Sequence, residues 1–361
     1  MATTFVQAAC HCNLNSFKVA FLTTSLPIST DLCHCNTCRH NTGQMFVHGA
    51  TIHGDPVSVD TETYTIENLQ HLMVYNVSKS FRRYFCSRCY AYMFGRDLFE
   101  DGRSRWNVST GVLARVEGIL EVKYHSFLKD THDGGIADQY REVNGISLPR
   151  YNLSSHDEEI LPLGWKSDLL LQTQKDQPIT DSSTLSAYCH CRSISLLLTR
   201  VTEITDPENE WWLVPSTTKH PRIRYTGLHC ACNSCRLTTG SLIESWVYLP
   251  RANIIDVHTS SPVILDPKDG ESKMEGLSTY ESSPGVFREY CGKCGAAIFY
   301  WNYSRKADVL DVAAGLINED QDGARAESWF GWAPRVGYAE DALDKAGCSA
   351  LEAGLTIWDR D

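Results

Sequence analysis

The sequence predicts a mainly β protein built from two tandem metal-binding domains with few helices. Cysteine clusters occur twice along the chain in the same order. Short segments that alternate apolar and polar residues, bounded by turn residues, dominate both halves. Few segments show the 3.6-residue apolar period of an amphipathic helix.

The length and composition agree with this class. A chain of 361 residues can form two domains, each with its own core. The composition, 42% hydrophobic and 21% charged, is that of a globular protein. The net charge of -11 argues against binding to nucleic acid or to an anionic membrane. No secretory signal and no apolar run of about 18 residues is recognisable, so we expect a cytoplasmic protein without a membrane partner.

The clustered cysteines have the spacing of metal ligands. Fourteen of the fifteen lie two or three positions from another cysteine. A short turn can direct two such thiolates at one ion, and this spacing does not suggest disulfides. The remaining cysteine, Cys348, is predicted to be a small apolar core residue. The clusters are Cys10 and Cys12; Cys33, Cys35 and Cys38; Cys86 and Cys89; Cys189 and Cys191; Cys230, Cys232 and Cys235; and Cys291 and Cys294.

The order of the clusters indicates an internal duplication. Each half reads C-x-C, then C-x-C-x-x-C, then C-x-x-C, and equivalent clusters are offset by 179, 197 and 205 residues. The offset is constant within a cluster and increases between clusters, as expected if loops were inserted after a duplication. We predict a first domain at 1–148, a linker at 149–184, a second domain at 185–340 and a C-terminal tail at 341–361.

Each half is predicted to be a largely antiparallel sheet whose tight turns carry the cysteines. The predicted strands are FVQAA, SFKVAF, MFVHG, ETYTIE, LMVYN, FRRYF and RWNVSTG in the first half, and SISLLLTR, ESWVYLP, AAIFYW and DVLDVAAG in the second.

The seven thiols of each half divide into four and three. The C-x-C and C-x-x-C pairs together can form a closed, structural four-thiol zinc site. The C-x-C-x-x-C motif then supplies three thiolates, and the fourth position is left for water, a thiol or a substrate, as in catalytic zinc sites. Alternatively, a nearby histidine completes each triplet, and the candidates are His11, His34, His40, His190 and His229. No histidine is placed equivalently relative to both triplets, which favours an open site.

These motifs resemble the glutathione-dependent formaldehyde-activating enzyme family, which includes the centromere protein V-like proteins. The resemblance rests on the seven-cysteine pattern, on C-R-x-x-x-G in each triplet and on an aromatic residue before C-x-x-C-G. It spans most of both halves and is more complete in the second, because Tyr90 replaces the glycine found at Gly295.

The resemblance implies a zinc-containing β-tent fold in each half and up to four Zn²⁺ per chain. The structural zinc ions would be held by Cys10, Cys12, Cys86 and Cys89, and by Cys189, Cys191, Cys291 and Cys294. The reactive zinc ions would be held by Cys33, Cys35 and Cys38, and by Cys230, Cys232 and Cys235.

The implied activity is carbon–sulfur lyase or addition–elimination chemistry on a small molecule. The substrate would be glutathione, a glutathione-type adduct, or a metabolite carbonyl or hydroxyl. Arg39 and Arg236 are candidate catalytic residues beside the triplets, with turn capping or ion pairing as the alternative. His48 and Glu244, on the following strand, are weaker candidates for proton transfer. The alternative function is a non-catalytic zinc module that binds a protein partner.

Six tryptophans of the second half could line an apolar pocket, although core packing is the simpler explanation. They are Trp211, Trp212, Trp246, Trp301, Trp329 and Trp332.

Overall fold

A computed structural model describes residues 2–58, 69–154, 159–176, 183–201, 207–268, 270–305 and 308–360. Over these residues the chain is mainly β, as predicted, with 24 strands and five α-helices. None of these helices is both long and apolar enough to cross a membrane.

The strands of the first half are β1 (Thr3–Ala9), β2 (Ser16–Leu22), β3 (Ile28–Cys33), β4 (Val47–Thr51), β5 (Val57–Ser58), β6 (Leu72–Asn76), β7 (Phe81–Cys86), β8 (Tyr92–Leu98), β9 (Ser104–Ser109), β10 (Leu120–Ser126), β11 (Glu142–Val143) and β12 (Ile146–Ser147). Those of the second half are β13 (Thr184–Tyr188), β14 (Ser195–Thr199), β15 (Leu213–Val214), β16 (Arg224–Cys230), β17 (Glu244–Pro250), β18 (Ile254–Asp256), β19 (Ser261–Pro262), β20 (Leu277–Ser283), β21 (Val286–Cys291), β22 (Ala297–Asn302), β23 (Val309–Ala313) and β24 (Phe330–Gly337). The helices are α1 (Asn36–Thr42), α2 (Asp168–Asp176), α3 (Asn233–Thr239), α4 (Glu319–Asp322) and α5 (Lys345–Arg360).

The two halves have corresponding sheets. The first half contains a large sheet in the order β10-β3-β4-β9-β8-β7-β6, and the second half contains β15-β16-β17-β23-β22-β21-β20. Pairing is antiparallel except that β10 runs parallel to β3 and, equivalently, β24 runs parallel to β16. A smaller sheet flanks each large one, in the orders β1-β2-β5 and β13-β14-β18-β19. The repeated topology agrees with a tandem duplication.

The predicted strands coincide with observed strands where the structure describes them, while ETYTIE lies outside the described residues. The predicted linker and tail each contain a helix, α2 and α5. Helix α5 packs against β24, and its buried side chains Cys348, Leu351 and Leu355 follow a helical spacing. Cys348 is a core residue, as predicted. The domain boundaries themselves stay a prediction.

The two halves are joined through reciprocal contacts at the triplets. A single cluster of buried apolar side chains extends through both halves. The turn Thr110–Val112 of the first half contacts α3, and the equivalent turn Ala314–Leu316 of the second half contacts α1. Gly111 N donates to Gly240 O and Gly315 N donates to Gly43 O, both at 2.9 Å.

The glycines that end α1 and α3 allow this close approach. Gly43 and Gly240 have φ values of +83° and +80°. A Cβ atom at Gly43 would lie 2.3 Å from the Ala297 carbonyl oxygen, and one at Gly240 would lie 2.2 Å from that of Tyr92. Glycine is therefore required at both positions by conformation and by space.

Candidate metal centres

The fourteen clustered cysteines form four groups in space. Within each group the sulfur atoms all lie within 4.8 Å of one another. Two groups contain four thiols: Cys10, Cys12, Cys86 and Cys89, and Cys189, Cys191, Cys291 and Cys294. Two contain three: Cys33, Cys35 and Cys38, and Cys230, Cys232 and Cys235. The division into four and three follows the sequence prediction.

The sulfur–sulfur distances fit zinc. In the first four-thiol group, Cys10 Sγ lies 3.6 Å from Cys12 Sγ and 3.7 Å from Cys86 Sγ. Tetrahedral zinc with Zn–S bonds of about 2.3 Å separates its thiolates by roughly 3.8 Å, whereas a disulfide needs about 2.05 Å. Backbone N–H groups of Arg88 and Cys89 donate to Cys86 Sγ at 3.4 Å, as suits a thiolate ligand. The donor set is therefore suited to zinc.

Each triplet is formed by the end of a strand and the first turn of a short helix. In the first triplet, Cys33 Sγ lies 3.6 Å from Cys35 Sγ and 3.5 Å from Cys38 Sγ. Cys35 caps α1 by accepting a hydrogen bond from Cys38 N at 3.4 Å, and Cys232 caps α3 in the same way at 3.3 Å. Hydrogen bonds from neighbouring thiols lower the pKa of Cys35 and of Cys232 to about 3.

No candidate histidine joins either triplet within the described part of the chain. His34 Nε2 lies 2.9 Å from His125 Nδ1, and His229 Nδ1 lies 2.8 Å from Ser245 Oγ. His40 Nδ1 lies 2.8 Å from the Tyr188 carbonyl oxygen.

The two remaining histidines make matching contacts across the interface. His11 Nδ1 lies 2.8 Å from the Tyr280 hydroxyl, and His190 Nδ1 lies 2.8 Å from the Tyr75 hydroxyl. In each pair the histidine belongs to the C-x-C turn of one half and the tyrosine to the other half. Both imidazole rings therefore have a tyrosine hydroxyl of the opposite half as partner and are not zinc ligands of the triplets. Over the described residues, each triplet keeps three protein ligands.

The structure places Arg39 in a buried network between the halves. Its Nη2 atom lies 2.6 Å from Glu319 Oε2, and its side chain has no exposed surface. His40 Nε2 lies 3.1 Å from the same oxygen, and Asn36 Nδ2 also donates to Glu319. Burial alone raises the pKa of Glu319, but the hydrogen bond from His40 and the charge of Arg39 outweigh it and hold that pKa at about 2.

Arg236 has the equivalent position beside the second triplet but uses different partners. Its Nη1 atom donates to the carbonyl oxygens of Gly111 and Leu113 in the first half. Both predicted catalytic arginines are thus engaged across the interface, where they anchor α1 and α3. A direct catalytic role for either one stays a prediction.

A third arginine, which sequence reasoning missed, is directed at the second triplet. Arg288 is buried, its Nη1 and Nη2 atoms lie 3.6 Å from Cys235 Sγ, and Nη2 donates to Ser234 Oγ at 3.0 Å. The equivalent Arg83 instead donates to carbonyl oxygens of Asn41, Cys294 and Gly295. The equivalent segments FRRYFC and FREYC could have indicated this arginine in the sequence, but they do not show which partner each arginine side chain binds.

The sheet face near Arg288 also differs between the halves. Across β21, β22, β23 and β17 the paired residues are Arg288, Tyr300, Asp311 and Tyr248. In the first half the same registers hold Arg83, Gly95, Asn107 and Thr51. A Cβ atom at Gly95 would lie 2.5 Å from the Phe81 ring and 2.8 Å from the Tyr92 hydroxyl. Aromatic rings therefore fill the first-half space that polar side chains occupy in the second half.

Of the two weaker candidates, Glu244 is the one placed near a triplet. Its fully buried carboxyl group accepts a hydrogen bond from Gln44 of the first half. Burial raises the pKa of Glu244 to about 8, to which the nearby charge of Cys235 contributes. His48 is also buried, and its Nε2 atom lies 2.8 Å from Thr30 Oγ1. Burial lowers the pKa of His48 to about 4.

The six tryptophans do not share one pocket. Trp212, Trp246, Trp301 and Trp329 are buried in the core, and Trp211 is 51% exposed. Trp332 lines a cavity at the edge of the second large sheet.

Comparison with known proteins gives one match, which lies in the first half. Residues 5–130 match the family model described as glutathione-dependent formaldehyde-activating enzyme. No curated protein and no solved structure matches the chain. The matched range contains all seven clustered cysteines of the first half, although the sequence motif is more complete in the second. Over residues 5–130 the chain is therefore similar to the glutathione-dependent formaldehyde-activating enzyme family.

Proposed function

We propose that the protein is a zinc-dependent enzyme with carbon–sulfur lyase or addition–elimination activity. Its substrate is a glutathione-type thiol adduct, or a carbonyl or hydroxyl of a small metabolite. The second triplet, formed by Cys230, Cys232 and Cys235, is the reaction centre. The observation that carries the proposal is this cluster of three thiols without a fourth protein ligand among the described residues, beside the buried cation of Arg288.

The residues of the second triplet would hold a zinc ion that binds a thiol as thiolate or polarises a carbonyl oxygen. Arg288 is fixed by Ser234 and by the paired strands on either side of it. A positive charge fixed in a buried site stabilises a neighbouring anion more strongly than a solvated charge does. Arg288 therefore orients an anionic sulfur or oxygen of the substrate.

Glu244 is the proposed proton-carrying group of the same site. It is buried, Gln44 fixes its orientation, and Cys235 and Arg288 are near enough to influence its pKa. A group that transfers protons must be positioned close to the reacting atoms. The first half has Val47 at the equivalent position, so it lacks this carboxyl group.

The first triplet, in this proposal, binds zinc without turnover. Arg83 is directed away from Cys33, Cys35 and Cys38, and the rings of Phe81 and Tyr92 fill the space above Gly95. Arg39 and Arg236 serve as positioning residues that hold α1 and α3 against the opposite half.

Parallel cysteine variants test the assignment of the reaction centre. Zinc per chain is measured by mass spectrometry, and turnover is followed by NMR with glutathione plus formaldehyde and with other glutathione–aldehyde adducts. Cys232→Ser is expected to reduce bound zinc and abolish turnover. Cys35→Ser is expected to reduce bound zinc by the same amount and to retain turnover. Equal loss of activity in the two variants would contradict the assignment to the second triplet.

Two further variants test the proposed roles within the centre. Arg288→Met and Glu244→Gln should each lower kcat by about 10²-fold or more, with the zinc content unchanged. Arg251→Met, which removes the partly exposed partner of the exposed Asp308, is the control and should retain full activity. A protein that binds four zinc ions but turns over no thiol or carbonyl substrate would instead be the non-catalytic zinc module.

A further inference from the structure

The C-x-C turn of each half lies against the triplet helix of the other half. The His11 N–H group donates to the Leu237 carbonyl oxygen in α3 at 3.1 Å. The His190 N–H group donates to the His40 carbonyl oxygen in α1 at 2.8 Å, and the two acceptors are equivalent under the offset of 197 residues. A turn that carries two thiols of a four-thiol cluster is therefore docked on the helix that carries one thiol of the opposite triplet.

The first of these turns also contacts the second triplet through its side chain. His11 Nε2 lies 3.4 Å from Ser234 Oγ, and Arg288 Nη2 donates to the same oxygen at 3.0 Å. Both Nη atoms of Arg288 lie 3.6 Å from Cys235 Sγ. A chain of contacts therefore joins a histidine of the first half to a thiol of the second triplet.

The donors and acceptors along this chain are compatible. A guanidinium group can only donate, so the Ser234 oxygen accepts from Arg288 and the hydroxyl proton is left for His11 Nε2. A neutral His11 then donates from Nδ1 to the Tyr280 hydroxyl, whose oxygen lies 2.8 Å away. The two rings also make a T-shaped contact, with centroids 5.6 Å apart. The imidazole is thus held at both nitrogens, and one of these bonds restricts the serine.

The first triplet lacks this chain, although its turn is docked in the same way. The His190 ring contacts Tyr75 with the same geometry, 2.8 Å from Nδ1 to the hydroxyl oxygen and 5.7 Å between ring centroids. Thr37 replaces the serine, and among the described residues it forms no hydrogen bond to His190. Arg83 donates to carbonyl oxygens of the opposite half. His190 therefore shares the turn and the tyrosine contact of His11 but not the link to a triplet.

We propose that His11 is a positioning residue of the second triplet. It holds the Ser234 hydroxyl, which in turn fixes Arg288 against the Cys235 thiol. This role rests on the proposed function for its effect on turnover, but not for its effect on the bound metal. Groups that orient the surroundings of metal ligands typically change metal affinity or activity by about 10–100-fold when removed. Because His11 lies between two ligands of the first four-thiol site, that site supports the reaction centre of the opposite half.

Cadmium NMR of the full chain loaded with Cd²⁺ reports on each site separately, and each resonance is assigned with a cysteine-to-serine variant of its own cluster. His11→Phe should shift the second-triplet resonance and, in chelator competition, raise the Kd of that site by about 10-fold. His190→Phe removes an equivalent bond to tyrosine and is the matched control, so it should leave that resonance and that Kd unchanged. No change in His11→Phe, or equal changes in both variants, would overturn the proposal.

Two milder variants separate the contact with Ser234 from packing of the ring, and they decide the question if His11→Phe does not fold. His11→Gln keeps an acceptor near the position of Nε2 and should retain the parent resonance and Kd. His11→Asn keeps only a donor near Nδ1 and should behave like His11→Phe, and the opposite order would contradict the assigned role.

Turnover of the glutathione–aldehyde adducts distinguishes this role from the proposed function itself. His11→Phe should lower kcat by about 10-fold, whereas His190→Phe should retain the kcat of the parent. A parent without turnover would refute the enzyme, while the resonance and the Kd of the second triplet would still decide the role of His11.

Discussion

Replacing Glu319 with glutamine should destabilise the protein far more than a single conservative change usually does. The residue is 2% exposed, and its carboxylate accepts hydrogen bonds from Arg39, His40 and Asn36 of the other half. Glutamine keeps the shape of the side chain but removes the charge that neutralises Arg39. Because Arg39 has no exposed surface, water cannot replace the lost carboxylate.

The size of the effect can be estimated in two ways. The pKa of Glu319 is held at about 2, against an ordinary value of 4.5. At about 1.4 kcal/mol per pH unit, this difference corresponds to about 3 kcal/mol. Removing one partner of a buried ion pair typically costs about 3–5 kcal/mol. We therefore expect Glu319→Gln to lower the free energy of unfolding by about 3 kcal/mol.

Urea denaturation of the zinc-loaded chain at neutral pH, followed by tryptophan fluorescence, measures this effect. The control is Asp320→Asn, since Asp320 is the adjacent residue, has a 62% exposed side chain and pairs with His132 at 3.2 Å. Exposed pairs contribute about 1 kcal/mol or less. A cost for Glu319→Gln no greater than that of the control would refute the idea that this pair holds the halves together.

Four further outcomes are expected. Gly43→Ala should cost at least about 3 kcal/mol in urea denaturation, because its Cβ would meet the opposite half, whereas Gly102→Ala, with φ of +81° and nothing within 4 Å, should cost only about 1–2 kcal/mol. Tyr280→Phe removes the hydrogen bond to His11 and should lower stability by about 1 kcal/mol, and a value near zero would mean that the bond contributes nothing. Burial raises the pKa of Asp322 from 3.8 to about 6, so the folded state favours its protonated form and loses stability as pH rises through that range. The Asp322→Asn variant should therefore exceed the parent by up to about 3 kcal/mol above pH 7, and the two unfolding energies should converge towards pH 4. A chelator should remove two zinc ions faster than the other two, because the three-thiol sites are open to an incoming ligand; a single rate for all four would contradict the division into two kinds of site.

The thiol clusters were predictable because their geometry is local. A C-x-x-C turn places two sulfur atoms at ligand distance regardless of the rest of the fold, and the repeated order of the clusters reveals which pairs combine. Strands such as ESWVYLP were predictable from composition and length. The helix in the C-terminal tail has apolar residues at helical spacing, at Cys348, Leu351 and Leu355. The glycines and polar residues around them make this spacing hard to recognise in the sequence.

The roles of the arginines could not be predicted, because their partners are remote in sequence. Arg39 pairs with a residue 280 positions away, and no local pattern encodes that contact. Arg83 and Arg288 have similar flanking residues, yet one binds carbonyl oxygens of the opposite half and the other contacts a thiol of its own half. Their divergence depends on side chains packed from other strands, including the rings above Gly95.

The separation of 280 positions between Arg39 and Glu319 also imposes an order on maturation during synthesis. At about 5–20 residues per second, roughly 15–60 s pass between the emergence of the two side chains from the ribosome. Throughout that interval Arg39 of α1 has no Glu319 carboxylate to pair with. Helix α3 differs, because the carbonyl oxygens that receive Arg236 belong to Gly111 and Leu113, which have already been made. The anchor of the second triplet is therefore available as soon as that triplet is translated, whereas the first triplet must wait until Glu319 has been made.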